Sequence, residues 1–401
     1  MPVFSIAKNN LNKKRLAKAL GYVENYWDKL EVKQTTDQKT LIGLPKPYLV
    51  PSTEASEGFA YKEMYYWDNF FLVEAMLAAG KVETAKGIVD NLLYMIDKFG
   101  LVPNANRYYM LSRSHPPLLT SMILSVHKHT KDKKWLNKAF GLAEAEYRQV
   151  WTGKMQPHNR QVFKGLSRHY DINVIHEMAE AESGWDYTPR FDNRCLDFIP
   201  VDLNSYLHKY ETDMIQIRGP LEEPGEWQLK ADARVEAMRK YMWDKQAGLY
   251  LDYDFINRRK SQTVSLASYM PLFVGLASSD EAEAARRALN RFETKWGLAT
   301  TSLDGGMHVA KQWALPNGWA PLHYTVIKGL ERYGYYEDAA RIAEKWLKLN
   351  LKVFDKTGRF FEKYNVLRAN AKPAPGVYPD QVGFGWTNAV FLLLAKEYTG
   401  D

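Results

Sequence analysis

Residues 82–100 read VETAKGIVDNLLYMIDKFG, and residues 335–353 read YYEDAARIAEKWLKLNLKV. In the first stretch Ile88, Leu92, Met95 and Phe99 recur at the three- and four-residue spacing of one helix face. Ala339, Ile342, Trp346, Leu349 and Val353 do the same in the second. A stripe of this kind needs another element to cover it, so each stretch predicts an amphipathic helix lying on a core. Gly100 stands where a C-terminal cap belongs, and Asp280 with Glu283 has capping-box spacing ahead of an Ala-rich helix.

The same periodicity continues outward through almost the whole chain. It predicts helices near 11–31, 63–79, 82–99, 116–130, 134–152, 171–182, 202–218, 223–244, 263–277, 280–294, 318–333, 335–353 and 386–398. One strand signal stands out, Leu249 to Tyr253, with a partner expected around Thr263. No Gly/Ser or Pro-rich linker divides the chain, so residues 1–401 are read as a single all-α domain with a small β-hairpin. Helix pairs joined by short turns fit a closed toroid of six hairpins or an α-solenoid, and the lack of a repeated 30–45 residue unit disfavours the solenoid. Gly, Pro, Asn, Trp and charged residues gather between helices at 50–68, 101–117, 183–195, 304–320 and 362–388. Such loops are where binding and catalytic residues concentrate, so one rim of the toroid is the candidate site.

Composition narrows the function classes. Twelve Trp, 25 Tyr and 17 Phe offer flat apolar faces for sugar rings or fill a wide helical core. Fifty-four basic residues face 47 acidic ones, spread along the helices, and the densest basic run is Arg258 to Lys260. That is a solvated surface without a nucleic-acid footprint. Cys195 is the single cysteine, which excludes an intramolecular disulfide and disfavours a thiolate metal site. Met1 to Asn10 has no apolar h-region, and no run of 18 apolar residues occurs. These features lead to the expectation of a cytoplasmic protein without membrane association, unless a signal peptide has been trimmed away.

Five clusters carry chemistry-bearing residues. EMYYWDNFF (63–71) places Tyr65, Trp67 and Asp68 together, a combination that stacks on and hydrogen-bonds a pyranose or simply starts a helix. PNANRYYMLSRSHPP (103–117) holds Asn104, Arg113 and His115 in a polar loop. AESGWDYTPRF (181–191) sets Asp186 beside an indole, where burial raises a carboxyl pKa toward that of a general acid, although an Asp can equally cap a turn. QWALPNGWAP (312–321) spaces Trp313 and Trp319 around a Pro-Asn-Gly turn, as exposed stacking platforms or as a plug of the toroid's end. The fifth joins Glu362, Lys363 and Tyr364 to GFGWTN (383–388), a glycine-rich run without the Lys-Ser/Thr signature of a phosphate loop. HExxH, GxSxG, CxxC and a dinucleotide fingerprint are all absent, which leaves paired carboxylates.

In order, these blocks resemble the trehalases of glycoside hydrolase family 37, a likeness spanning Gly58 to Asn388. ESGWD with Arg190, DFIPVDLN (197–204), QW with PNGWAP, EKY and GFGWTN carry it. The resemblance implies an (α/α)6 toroid that hydrolyses α,α-trehalose with inversion, needing neither metal nor organic cofactor. It assigns Asp186 as general acid and Glu362 as general base. It places Tyr61, Tyr65, Trp67, Asp68, Asn104, Arg113, His115, Arg168, Gln312, Trp313 and Trp386 around a small carbohydrate substrate. A monomer is expected.

The chain departs from the family pattern at several points. Ala60 stands where PGGRF has its Arg, Val377 where the GGGGEY lid has its Glu, Ala314 follows QW, and His115 replaces a Gln. The 370–384 loop is accordingly stiffer than a glycine-rich lid. These changes leave open a family 63-type α-glucosidase acting on glucosylglycerate, mannosylglycerate or an oligosaccharide. A sugar-binding protein that has lost turnover is the reading from a different class, and retention of both Asp186 and Glu362 argues against it.

Overall fold

Inner and outer helices of this chain differ in sequence because they meet different surroundings. In a computed structural model, residues 11–55, 61–153, 159–219, 225–308, 311–370 and 381–399 are described. Helices α1 (Lys13–Leu30), α2 (Tyr66–Ala78), α3 (Val82–Phe99), α4 (Leu119–Thr130), α5 (Lys133–Glu146), α6 (His176–Glu182) and α7 (Val201–Arg218) make up the first half. Helices α8 (Glu226–Tyr241), α9 (Met270–Val274), α10 (Ser279–Ala288), α11 (Ala320–Arg332), α12 (Tyr336–Thr357) and α13 (Gly385–Thr399) make up the second.

Helices α2, α4, α7, α9, α11 and α13 form a ring, each packed on the next, with α13 closing back onto α2. Around it α3 packs on α2 and α4, α5 on α4 and α7, α8 on α7, α12 on α11 and α13, and α1 on α12 and α13. This is an (α/α)6 toroid. The two stretches whose stripes were read first are outer helices, apolar on one side only. Ile88, Leu92, Met95, Ala339, Ile342, Trp346, Leu349 and Val353 are all buried there. Burying each large aliphatic of such a stripe contributes about 1.5–3 kcal/mol. Inner helix α2, by contrast, is buried at nearly every position from Tyr66 to Leu77, so its sequence reads as an apolar run with little moment. One hydrophobic cluster extends from Leu11 to Tyr398.

Several local expectations are corrected. Leu249–Tyr250 pairs with Trp243–Asp244. Tyr253–Asp254 pairs with Arg259–Lys260 and with Phe198–Ile199, not with the segment at Thr263. Arg258 is left-handed (φ 55°), so the chain turns back too early for Thr263 to reach the strand, and the Thr263 hydroxyl donates to Pro189 O instead. The capping box of α10 belongs to Ser278 and Glu281, not to Asp280 and Glu283. Ser and Asp here both have a Glu three residues on, and the helix starts at Ser279. The segment expected as helix 263–277 is a 3-10 turn, Leu266–Tyr269, running into α9, and that expected at 171–182 shortens to α6. Gly100 is the left-handed cap of α3 as expected (φ 77°). Among the described residues no helix is long and apolar enough to cross a membrane.

Candidate active site

The loops entering α2, α4, α7 and α13 meet at one end of the ring around a cavity of about 200 Å³. The first turn of α2 lacks a side-chain cap, so its free amides need partners from elsewhere. The loop 104–115 supplies them: Tyr66 N–H donates to Asn104 O (3.2 Å) and Trp67 N–H to His115 Nδ1 (3.2 Å). Since Nδ1 accepts, the His115 proton sits on Nε2. Burial, with His169 and Arg113 nearby, lowers the His115 pKa to about 3, so the ring is neutral. Asn104 donates its amide to Ser114 O and Ala181 O, leaving Oδ1 as an acceptor for the cavity. Arg113 pairs with Asp171 at 3.2 Å, and its Nε is buried without a partner among the described residues.

Glu182, at the C-terminal end of α6, is fully buried and fastens three segments. It accepts from Ser114 N–H (2.8 Å) and Tyr170 N–H (3.0 Å) and pairs with the Arg160 guanidinium. The chain then turns through Gly184, whose φ is +73°. A Cβ there would lie 2.6 Å from the Trp67 ring, so the turn needs glycine both for its backbone and for its space. Asp186 follows, its carboxyl accepting from Gln312 Nε2 (2.9 Å) and Trp313 Nε1 (3.3 Å). Burial first, then the charge of Glu362, raises the Asp186 pKa to about 6.

Glu362 faces the same cavity and accepts from Lys363 Nζ at 2.6 Å. Its backbone oxygen accepts from Trp386 Nε1 (3.0 Å). Asp68 is the third carboxyl. The first turn of α2 favours its ionised form, yet burial wins and, with Glu362 and Asp186 near, raises its pKa to about 7. Tyr61, Tyr65, Trp67, Phe384 and Trp386 complete an aromatic wall.

Ten of the thirteen residues singled out in the sequence therefore line one cavity: Tyr61, Tyr65, Trp67, Asp68, Asn104, Arg113, His115, Asp186, Glu362 and Trp386. Gln312 and Trp313 stand behind it, on Asp186. Trp313 and Trp319 are buried and stacked on each other (centroids 3.7 Å apart, 4° between planes), not exposed platforms. Arg168 points away, its guanidinium capping Asn159 O (2.9 Å) and Leu196 O (2.7 Å). Pro51, Met110 and Phe384 also line the cavity and carried no distinguishing signal in the sequence. Ala60 and Val377 lie outside the described residues, as does most of the 370–384 loop.

A family model described as Trehalase matches residues 4–184 and 174–399. Periplasmic trehalases from Xanthomonas oryzae pv. oryzae and Xanthomonas campestris pv. campestris are each 32% identical to this chain. The matches extend over 430 and 425 residues and cover 94% of the chain and 73% of each relative. The structure is similar to neutral trehalase from Saccharomyces cerevisiae (TM-score 0.77, 28% identity, 94% of this chain and 80% of that one). It is also similar in fold to a family 63 mannosylglycerate hydrolase from Thermus thermophilus in complex with glucose (TM-score 0.69, 16% identity, 94% and 99%). These relatives overturn the expectation of a cytoplasmic protein, since the Xanthomonas enzymes are named periplasmic. A lone cysteine does not discriminate the compartments, because it forms no intramolecular disulfide in either.

Proposed function

The chain belongs to the trehalase family and is a glycoside hydrolase, and from that premise we propose that it cleaves α,α-trehalose into two glucoses with inversion. Asp186 is the general acid and Glu362 the general base. The observation that carries this reading is that Asp186 and Glu362, on different loops, face one cavity and are held by different partners, Gln312 and Trp313 for the first and Lys363 for the second. Asp186 is buried and close to Glu362, which raises its pKa to about 6, toward the range of a general acid. Glu362 lies against the ammonium of Lys363. An acid and a base with distinct environments are what a single displacement by water requires.

In the proposed cycle Asp186 protonates the glycosidic oxygen as the bond to the anomeric carbon breaks. Glu362 takes a proton from a water that attacks that carbon from the opposite face. Gln312 and Trp313 orient the acid. Tyr61, Tyr65, Trp67 and Trp386 present faces and edges to the sugar, while Asn104 Oδ1, His115 Nε2–H and the Arg113 guanidinium bind hydroxyls. Three carboxyls and a single arginine already paired to Asp171 favour a neutral sugar over an acidic or phosphorylated one. Arg168 is engaged with Asn159 O and Leu196 O and is not on the described wall, which carries fewer cationic contacts than the family pattern implies. This keeps a sister α-glucoside as the second reading, and glucose release from a panel of α-glucosides decides between them.

Asp186→Asn and Glu362→Gln each remove one proton-transfer group. Each is expected to lower kcat on trehalose by about 10²–10⁴-fold or more with the thermal transition intact. Near-normal turnover in either variant overturns its assigned role.

A further inference from the structure

Behind the cavity runs a column of stacked side chains, one stretch of which links the two carboxyls. The Arg190 guanidinium lies over Trp185 (4.4 Å), and Trp185 stacks on Trp313 (5.1 Å, 23°). Trp313 stacks on Trp319 (3.7 Å, 4°), over which sits Lys363 Nζ (5.1 Å). The column holds one carboxyl at its middle and one at its end: Trp313 Nε1 donates to Asp186, and Lys363 Nζ donates to Glu362. Both terminal cations are fixed. Arg190 is held by Asp202 and Asp252, and Lys363 is 1% exposed.

The backbone makes the same connection. Strand Asn317–Trp319 pairs antiparallel with Lys363–Asn365, with Trp319 directly opposite Lys363. Trp319 Nε1 also donates to Gln312 O (3.3 Å), whose side chain holds Asp186. Trp67 and Trp386, on the cavity wall, meet the edges of the column at 5.9 and 6.2 Å from Trp313.

We propose that the stack Trp313–Trp319–Lys363, backed on its far side by Trp185 and Arg190, is a rigid spacer that fixes the gap between Asp186 and Glu362, and that Trp319 is a positioning residue for catalysis. The inference rests on the roles assigned above to those two carboxyls. Flat rings in face contact resist compression, and the two cations clamp them from the ends. An inverting displacement needs a gap that admits one water, and a displacement of about 1 Å costs on the order of 10²-fold in rate. A buried indole that only filled space would not be sensitive in this way.

The test compares Trp319→Leu, Trp319→Phe and the control Trp27→Leu, which empties a buried site in α1 away from the column. kcat and KM on trehalose are measured for each beside Asp186→Asn, with folding followed by circular dichroism. Trp319→Leu is expected to lose about 10²-fold in kcat with KM within about threefold. Trp319→Phe, which keeps a ring in the stack, restores most of that loss, and Trp27→Leu loses stability without losing kcat. If Trp319→Leu does not fold, Trp319→Met, which also removes the flat ring but leaves a smaller void, carries the same expectation. A folded leucine variant with wild-type kcat, or equal losses in the leucine and phenylalanine variants, overturns the spacer. An active Asp186→Asn enzyme overturns the assigned roles, and the spacer with them.

Discussion

At the scale of single residues, the cavity stores electrostatic cost. Asp68 has an ordinary carboxyl pKa of 3.8 when unfolded and about 7 when folded. A raised folded pKa stabilises the fold below the unfolded value and loses that contribution as pH rises through the folded one. The native state is therefore expected to weaken between about pH 4 and pH 8, and Asp186, raised to about 6, acts in the same sense. Asp68→Asn has no proton to release. It is expected to be more stable than the wild type at pH 8 by roughly 2–4 kcal/mol, with little difference at pH 4. Unfolding midpoints across that range check it, and parallel curves for the two proteins contradict it. The residues of this cavity were largely legible in the sequence because their blocks occur in the order of a known family; taken singly, the carboxyls and aromatics at 63–71 and 181–191 had structural readings as well. Direction was not legible. Arg168 bonds the carbonyls of Asn159 and Leu196, and Trp313 turns its Nε1 to Asp186, because side-chain aim depends on neighbours distant in the chain.

Among elements, the site is assembled by helix ends that borrow each other's partners. His115 caps α2 from the loop before α4, and Glu182 of α6 fastens Ser114, Tyr170 and Arg160. Burial favours the neutral form of Glu182, but the adjacent Arg160 and the bond with His169 outweigh it and hold the pKa near 2. Removing a buried partner leaves the other charge uncompensated. Glu182→Ala is thus expected to destabilise the protein by about 3–5 kcal/mol in denaturant unfolding. A change below about 1 kcal/mol contradicts the view that this clamp holds the 113–115 segment. The outer helices α3 and α12 could be read from their stripes, and their register with the core was right. Short strands could be read only in part. The signal at Leu249–Tyr253 marked two of them, but two-residue partners such as Trp243–Asp244 and Phe198–Ile199 carry no alternation to detect. The Ser278 box escaped for a simpler reason, since SSDEAEA offers two competing starts two residues apart.

Over the whole molecule, ring closure converts loops far apart in sequence into one cavity. Asp68 and Glu362 are separated by most of the chain, yet α13 packs on α2 and brings their loops to one rim. Periodicity and short turns left a toroid or a solenoid, the lack of a repeat disfavoured the solenoid, and the resemblance pointed to the toroid; the contrast between inner helix α2, buried at nearly every position, and outer helices with one apolar face emerged only from the structure. The compartment was not readable, because neither charge balance nor one cysteine depends on it. The central claim concerns how the bond is broken, and the most direct measurement is proton NMR of the glucose anomers in the first moments of trehalose hydrolysis, before mutarotation. With Asp186 and Glu362 acting on opposite faces, each cleavage yields one β-glucose from the attacked ring and one α-glucose from the departing one. Equal initial signals from the two anomers are predicted. Initial product that is α-glucose alone would mean retention, and would contradict the account.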